Sequence, residues 1–180
     1  MSFRHRLFGL PMPGLLRRAC ISRLHRLTAD AFQAEAPAPH GSARRRLESY
    51  AELTRAVAEQ AAVDEGRTAR ARDRLFANAR GLGARLRSRL GIRDRQDALE
   101  AARSLYRLIG VDFRPSRGSA GFTVPHCFFS GYYSPAVCRM ISSLDAGLLS
   151  GLTDGAEMSF CRRITEGAAS CEGVISGGND

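Results

Sequence analysis

The apolar periodicity of this 180-residue chain changes at Gly110, and no other feature of the sequence limits its fold as much. Before that point apolar residues recur every three to four positions, the spacing that gathers them on one face of an α-helix. Beyond it, short alternating stretches are separated by glycine-containing turns, and alternation buries one face of a β-strand. Charge divides at nearly the same place. Residues 1–117 carry 24 Arg and 12 acidic residues, whereas residues 118–180 carry 3 Arg and 6 acidic residues together with four of the five cysteines. A helical layer on a small antiparallel sheet, an α+β fold, is the arrangement both patterns predict.

The spacing predicts four helices in the front half. Leu16, Ala19, Cys20, Leu24 and Leu27 share one face of the stretch from Leu15 to Phe32, with arginines opposite. The Pro/Ala/Gly segment 34–43 ends that helix and marks a boundary. A second helix, 44–63, aligns Leu47, Tyr50, Ala51, Val57, Ala58 and Ala61. A third, 67–90, aligns Leu75, Ala79, Leu82, Leu86 and Leu90, and its interior Gly81 and Gly83 are expected to weaken or kink it. A fourth, 94–109, starts at an Asp94 N-cap, carries Leu99, Ala102, Leu105 and Ile109, and stops at Gly110. This organises the chain as a basic helical extension and linker (1–43), a helical region (44–110) and a Cys-containing α+β module (111–180).

Composition narrows the partners. All 27 basic residues are arginine and none is lysine, which reflects genomic base composition as much as guanidinium chemistry, so the net charge of +9 does not by itself imply nucleic acid. Tryptophan is absent and aromatics are sparse, against a stacking surface for single strands. The arginine faces are expected to be solvated, with Asp or Glu partners three or four residues away. No run reaches the roughly 18 apolar residues of a membrane span. Pro11, Pro13, Arg17 and Arg18 interrupt any export-signal core near the start, so a cytoplasmic protein is expected. Its expected partner is a small-molecule ligand or substrate rather than a specific nucleic acid, with a homodimer as the candidate assembly.

The back half predicts a strand-helix-hairpin module. Gly121–Pro125 forms a strand, and His126-Cys127-Phe128-Phe129 leads to a turn at Ser130-Gly131. Ser134-Pro135 then starts a helix, a hydroxyl N-cap before proline at the first helical position. That helix is expected to stop at Gly151 and places Cys138, Ser142, Asp145 and Leu149 on one face. In the next strand, Ala156–Ile164, the alternation directs Met158, Phe160, Arg162 and Ile164 to one side and Ser159, Cys161 and Arg163 to the other. A final strand, Ser170–Ile175, places Cys171, Gly173 and Ile175 together.

Two resemblances rest on these residues. The pattern C-F-F-x-G-Y-Y-S-P-x-x-C-x(6)-D-x-G-L-L-x-G-L followed by F-C-R-R-I-T-E-G-A-A-S-C, over Cys127–Ile175, resembles the carboxyl-terminal half of the L-2-amino-thiazoline-4-carboxylic acid hydrolase-like family. Ser134–Ile175 also resembles the end of the 4-vinyl reductase-type ligand-binding domain, in which an S-P-x-x-C helix precedes a strand, a glycine turn and a cysteine. The first resemblance implies hydrolysis of a C–N bond in, or binding of, a small carboxylated heterocycle of cyclic amidine type. It marks Cys127, Cys138, Asp145 and Cys171 as the candidate catalytic residues. Such chemistry needs a carboxylate general base, a thiolate nucleophile and an arginine fork for the substrate carboxylate. The second implies a non-catalytic sensor or carrier of a small ligand or metal.

The same residues admit a metal site. Cys127, Cys138, Cys161 and Cys171, with His126 in reserve, form a thiolate-rich candidate set for zinc or an iron–sulfur cluster, although no C-x-x-C pair is present. Free cysteine is otherwise a small buried apolar residue, and that description fits Cys20 best.

Overall fold

The computed structural model describes residues 14–116 and 120–178, so the basic stretch ahead of Gly14 lies outside the described residues. Helix α1 spans Gly14–Phe32, α2 Ala43–Ala61, α3 Glu65–Leu90 and α4 Arg95–Leu108; strands β1 (Arg114–Pro115) and β2 (Gly121–Val124) follow. Helix α5 (Pro135–Thr153), β3 (Glu157–Arg162) and β4 (Cys171–Ser176) complete the chain. The fold is α+β, as the periodicity predicts.

Local chemistry sets the helix starts. The side chains of Ser42, Asp64, Asp94 and Ser134 each accept a hydrogen bond from the backbone N–H three residues on, at 3.3, 2.6, 2.8 and 3.3 Å. Each satisfies a donor that the first helical turn leaves unpaired, worth about 1 kcal/mol. Apolar faces then bury Ile21 and Leu24 of α1, Leu47 and Tyr50 of α2, Leu75 of α3, and Ala98, Ala101 and Ala102 of α4 in one core.

Two glycine expectations fail, for one reason. Helix α3 runs unbroken through Gly81 and Gly83, and α5 continues past Gly151 to Thr153 before Asp154 closes it in the left-handed conformation at φ 61°. Gly83, Gly147 and Gly151 serve close backbone contact instead of interruption, whereas Gly81 faces only the Arg85 side chain. A Cβ on Gly83 would lie 2.4 Å from the Leu148 carbonyl oxygen, on Gly147 2.3 Å from that of Phe76, and on Gly151 2.2 Å from that of Arg80. No carbon fits at those distances, so α3 and α5 lie backbone to backbone and run in the same direction.

The sheet is antiparallel throughout, in the order β1-β2-β4-β3. The two-residue β1 has no signal in the sequence and forms only by pairing with Phe122 and Thr123. Gly173 stands between Phe122 and Phe160 in the register, and the two rings meet edge-to-face above it with centroids 5.2 Å apart. A Cβ on Gly173 would lie 2.5 Å from the Phe122 ring, so the glycine lets two aromatic residues close over a strand that has no side chain there. Tyr106, Phe113 and Phe122 extend the aromatic row at centroid spacings of 5.1 and 5.5 Å and join α4 to the sheet.

Candidate functional site

Between the sheet, α5, the middle of α1 and α2 and the end of α4 lies a cavity of about 90 Å³. That is somewhat less than the roughly 150 Å³ of an engineered cavity that admits benzene, so the space suits a compact molecule. Its walls are mainly apolar and aromatic, with Tyr50, Tyr106, Phe113, Phe129, Tyr133 and Phe160 contributing rings. Four residues that the sequence marks as catalytic, Cys127, Cys138, Asp145 and Cys171, all line this one cavity. They arrive from separate elements. Cys127 is brought in by an isolated bridge to Val111 at the end of α4, Cys138 and Asp145 come from α5, and Cys171 opens β4.

Among the described residues Asp145 is the one carboxylate in the lining. Tyr106, itself buried, donates to Asp145 Oδ1 at 3.0 Å. The carboxylate keeps some accessible surface because it borders the cavity, yet protein surrounds it closely. Burial therefore pushes its pKa up to about 6, against the opposing pull of the Tyr106 hydrogen bond and of the Arg163 charge. Among the described residues the only hydrogen bond to the Asp145 carboxylate is the one from Tyr106, and the residue lines the cavity.

Arg163 is the cation of the cavity, and simple strand alternation places it on the wrong side. The ladder shifts between Phe160 and Arg162, so Cys161 and Arg162 together oppose one residue of β4. This β-bulge changes the phase of the strand. Arg162 is directed outward to a solvent-exposed contact with Glu172, whereas Arg163 turns inward with its side chain 13% exposed. Its guanidinium lies 4.1 Å from the Phe160 ring centroid, donates to Ser142 Oγ at 2.6 Å and lies 3.8 Å from Cys138 Sγ. Glu166 approaches Arg163 Nε at 4.0 Å and also pairs with Arg139. The expectation that Arg162 faces Met158 and Phe160 is thus overturned by the bulge.

Two of the cavity thiols, Cys127 and Cys171, are not activated. Burial pushes Cys127 up to about 12 and raises Cys171, whose sulfur accepts a 3.4 Å hydrogen bond from the Ile164 backbone N–H. Thiols so shifted are protonated at neutral pH and make poor nucleophiles. Cys20 lies outside the cavity lining and is pushed up to about 11 by burial, in keeping with a packing role.

The candidate metal set does not assemble. Cys161 is exposed on the bulge and His126 is exposed before the Phe128–Gly131 turn, and neither lines the cavity. Among the described residues no three His, Cys, Asp or Glu side chains come together as a metal ion requires. The residues therefore do not fit zinc or an iron–sulfur cluster.

Sequence spacing also passes over the hydroxyl groups. Tyr50, Tyr106 and Tyr133 sit at apolar-face positions of their segments, yet they surround Asp145 with phenols that burial holds protonated. Tyr133 Oη has no well-formed hydrogen bond; its neighbour Thr54 donates instead to the Tyr50 carbonyl at 2.7 Å. A tyrosine on an apolar stripe looks like core, and only the fold shows which hydroxyls border an empty space.

No family model matches the chain, and no curated protein matches it.

Proposed function

We propose that the cavity binds a compact carboxylated molecule with a nitrogen-containing ring and acts on it as a hydrolase. The observation that carries this reading is Asp145, a carboxylate that lines a small aromatic-walled space, accepts one hydrogen bond from Tyr106 and has a pKa raised to about 6. A group that titrates near neutrality serves as a base in one step and an acid in the next. Asp145 Oδ2 takes a proton from water as the water oxygen bonds to the electron-poor ring carbon. It then returns that proton to the ring nitrogen as the C–N bond breaks. Arg163, fixed by Ser142 and Phe160, supplies guanidinium donors for the ligand carboxylate. The protonated thiols of Cys127 and Cys171 act as walls, so the nucleophile in this mechanism is water.

A second reading, a non-catalytic carrier of a small ligand, is favoured by the largely apolar lining and by those same inert thiols. One experiment separates the two. The full chain is titrated with 2-amino-thiazoline-4-carboxylate and related cyclic amidine acids, with thermal stability and product mass both recorded. Hydrolysis predicts saturable stabilisation and a product heavier by one water. In Asp145→Asn turnover should fall by about two to four orders of magnitude, and in Arg163→Gln the loss should fall mainly on KM. Stabilisation without product supports the carrier, and no stabilisation by any of these acids rejects both readings of the ligand.

A further inference from the structure

Helices α1 and α3 hold twelve arginines against three acidic residues, Asp30, Glu65 and Asp73, an excess equal to the +9 of the whole chain. The expected acidic partners three or four residues along do not form there. Within-helix pairs occur on α2 (Arg44 with Glu48) and α4 (Arg103 with Glu100). Among the described residues, the only ion pair made by an arginine of α1 or α3 is that of Arg87 with Asp154 at 2.9 Å.

Part of this uncompensated charge converges. Between α1 and α3 runs a groove of about 350 Å³, lined by Arg23 and Arg26 on one side and by Asn78, Gly81 and Arg85 on the other. Arg23 and Arg26 lie one turn apart on the same side of α1. Gly81 gives α3 no side chain at the groove floor, and the Arg85 guanidinium folds back over it, with Nη1 3.5 Å from where a Cβ would stand. The backbones carrying these groups are held by Leu24, Leu27, Leu75 and Ala79, all buried in the core. Asp30 also borders the groove, and Asn78 donates to its Oδ2 at 2.8 Å. It makes no ion pair with any of the three arginines.

We infer that this groove is a binding site for a phosphate-bearing ligand, held by Arg23, Arg26 and Arg85. Guanidinium is weakly hydrated, and its planar fork matches phosphate oxygens with two parallel donors. Three such groups, presented from two fixed helices against the single carboxylate of Asp30 and without an ion pair to it, suit an anion that carries more than one negative charge. Asp30 repels any further negative charge on its side and so confines the phosphate toward Arg85. This site is separate from the cavity and does not depend on its chemistry.

Isothermal titration of the full chain with inorganic pyrophosphate tests the inference. Saturable binding that weakens with salt is expected. The triple variant R23Q/R26Q/R85Q, whose substitutions are all exposed, should bind at least tenfold more weakly with an unchanged circular dichroism spectrum. The charge-matched control R45Q/R55Q/R107Q should bind as the parent does, and Asp30→Asn should bind more tightly. Absence of saturable binding overturns the site, and so does equal weakening in the control, which would assign the effect to net charge. Co-sedimentation with phosphatidylglycerol vesicles, against phosphatidylcholine vesicles, identifies the source. Vesicle binding governed by the same three arginines places the phosphate on a lipid headgroup, whereas pyrophosphate binding alone places it on a free ligand; either result supports the site.

Discussion

On α1 and α3 the charges stand outside a core of leucine and alanine, whereas around the cavity one carboxylate and one guanidinium lie among aromatic rings. Most arginines of the helices are exposed and screened by water, although Arg17 donates to the Leu108 carbonyl at 2.8 Å and Arg87 pairs with Asp154. Asp145 and Arg163 are each held by hydrogen bonds from or to a named side chain, Tyr106 for one and Ser142 for the other. Number of charges is therefore a poor guide to where electrostatics shapes this molecule. Burial is the better one, since desolvation is the main cause of the Asp145 and Cys127 shifts, whereas the exposed Arg114 shifts through its hydrogen bond with Asp112.

The largest effect that can break the comparison lies at the seam joining the two regions. Gly151→Leu would force a side chain where even a Cβ lies 2.2 Å from the Arg80 carbonyl oxygen. Overpacking of this kind costs about 3 kcal/mol or prevents the native fold, and both regions should unfold together in a urea titration followed by circular dichroism. Gly14→Leu, with nothing within 4 Å of the added Cβ, should leave the transition unchanged.

Next in size is the pH dependence that Asp145 confers. Its pKa of about 6 in the fold lies above the roughly 3.9 of an unfolded chain, so the folded protein binds the proton more tightly. The stability from this group is fully present below about pH 4 and lost as pH rises through 6, by up to about 2 kcal/mol once the part facing the cavity is discounted. His25 works the other way. Burial lowers its pKa below the ordinary 6.5, so stability is lost as pH falls through that value. Asp145→Asn keeps His25 and isolates the carboxyl. The variant should gain stability relative to the parent between pH 4 and 7, measured from urea midpoints, and a constant difference across that range would refute the assignment.

The smallest effect belongs to the exposed helices. Glu48→Gln removes the partner of Arg44, whose side chain is 83% exposed, and should shift stability by less than about 0.5 kcal/mol. A larger loss there would mean that surface pairs matter more in this chain than its exposed arginines suggest.

What the sequence makes legible follows the range of the forces involved. Helices and their caps depend on residues three or four apart, so Asp94 and Ser134 are readable in advance and sit where the pattern puts them. The grouping of Cys127, Cys138, Asp145 and Cys171 is also readable, through the spacing on α5 and the resemblance over Cys127–Ile175. Three features are not. Gly83 and Gly151 look like helix breakers because the α3–α5 contact that requires them joins residues far apart in the chain. Strand β1 exists only through its partner. Arg163 and the three tyrosines enter the cavity through a bulge and through the shape of an interior space, and neither leaves a period in the sequence.

The bulge at Cys161 has a further meaning when the hairpin is considered as something that varies in length. Strand β3 contains one more residue than its two faces can use, and Cys161 is that surplus. Deleting it would restore plain alternation and still leave Arg163 directed inward, with Met158 and Phe160 unmoved. A deletion elsewhere in the sheet would turn a whole face over. This edge of the molecule can therefore lose a residue and keep the side chains that face the cavity, a form of tolerance that belongs to spacing and not to any side chain.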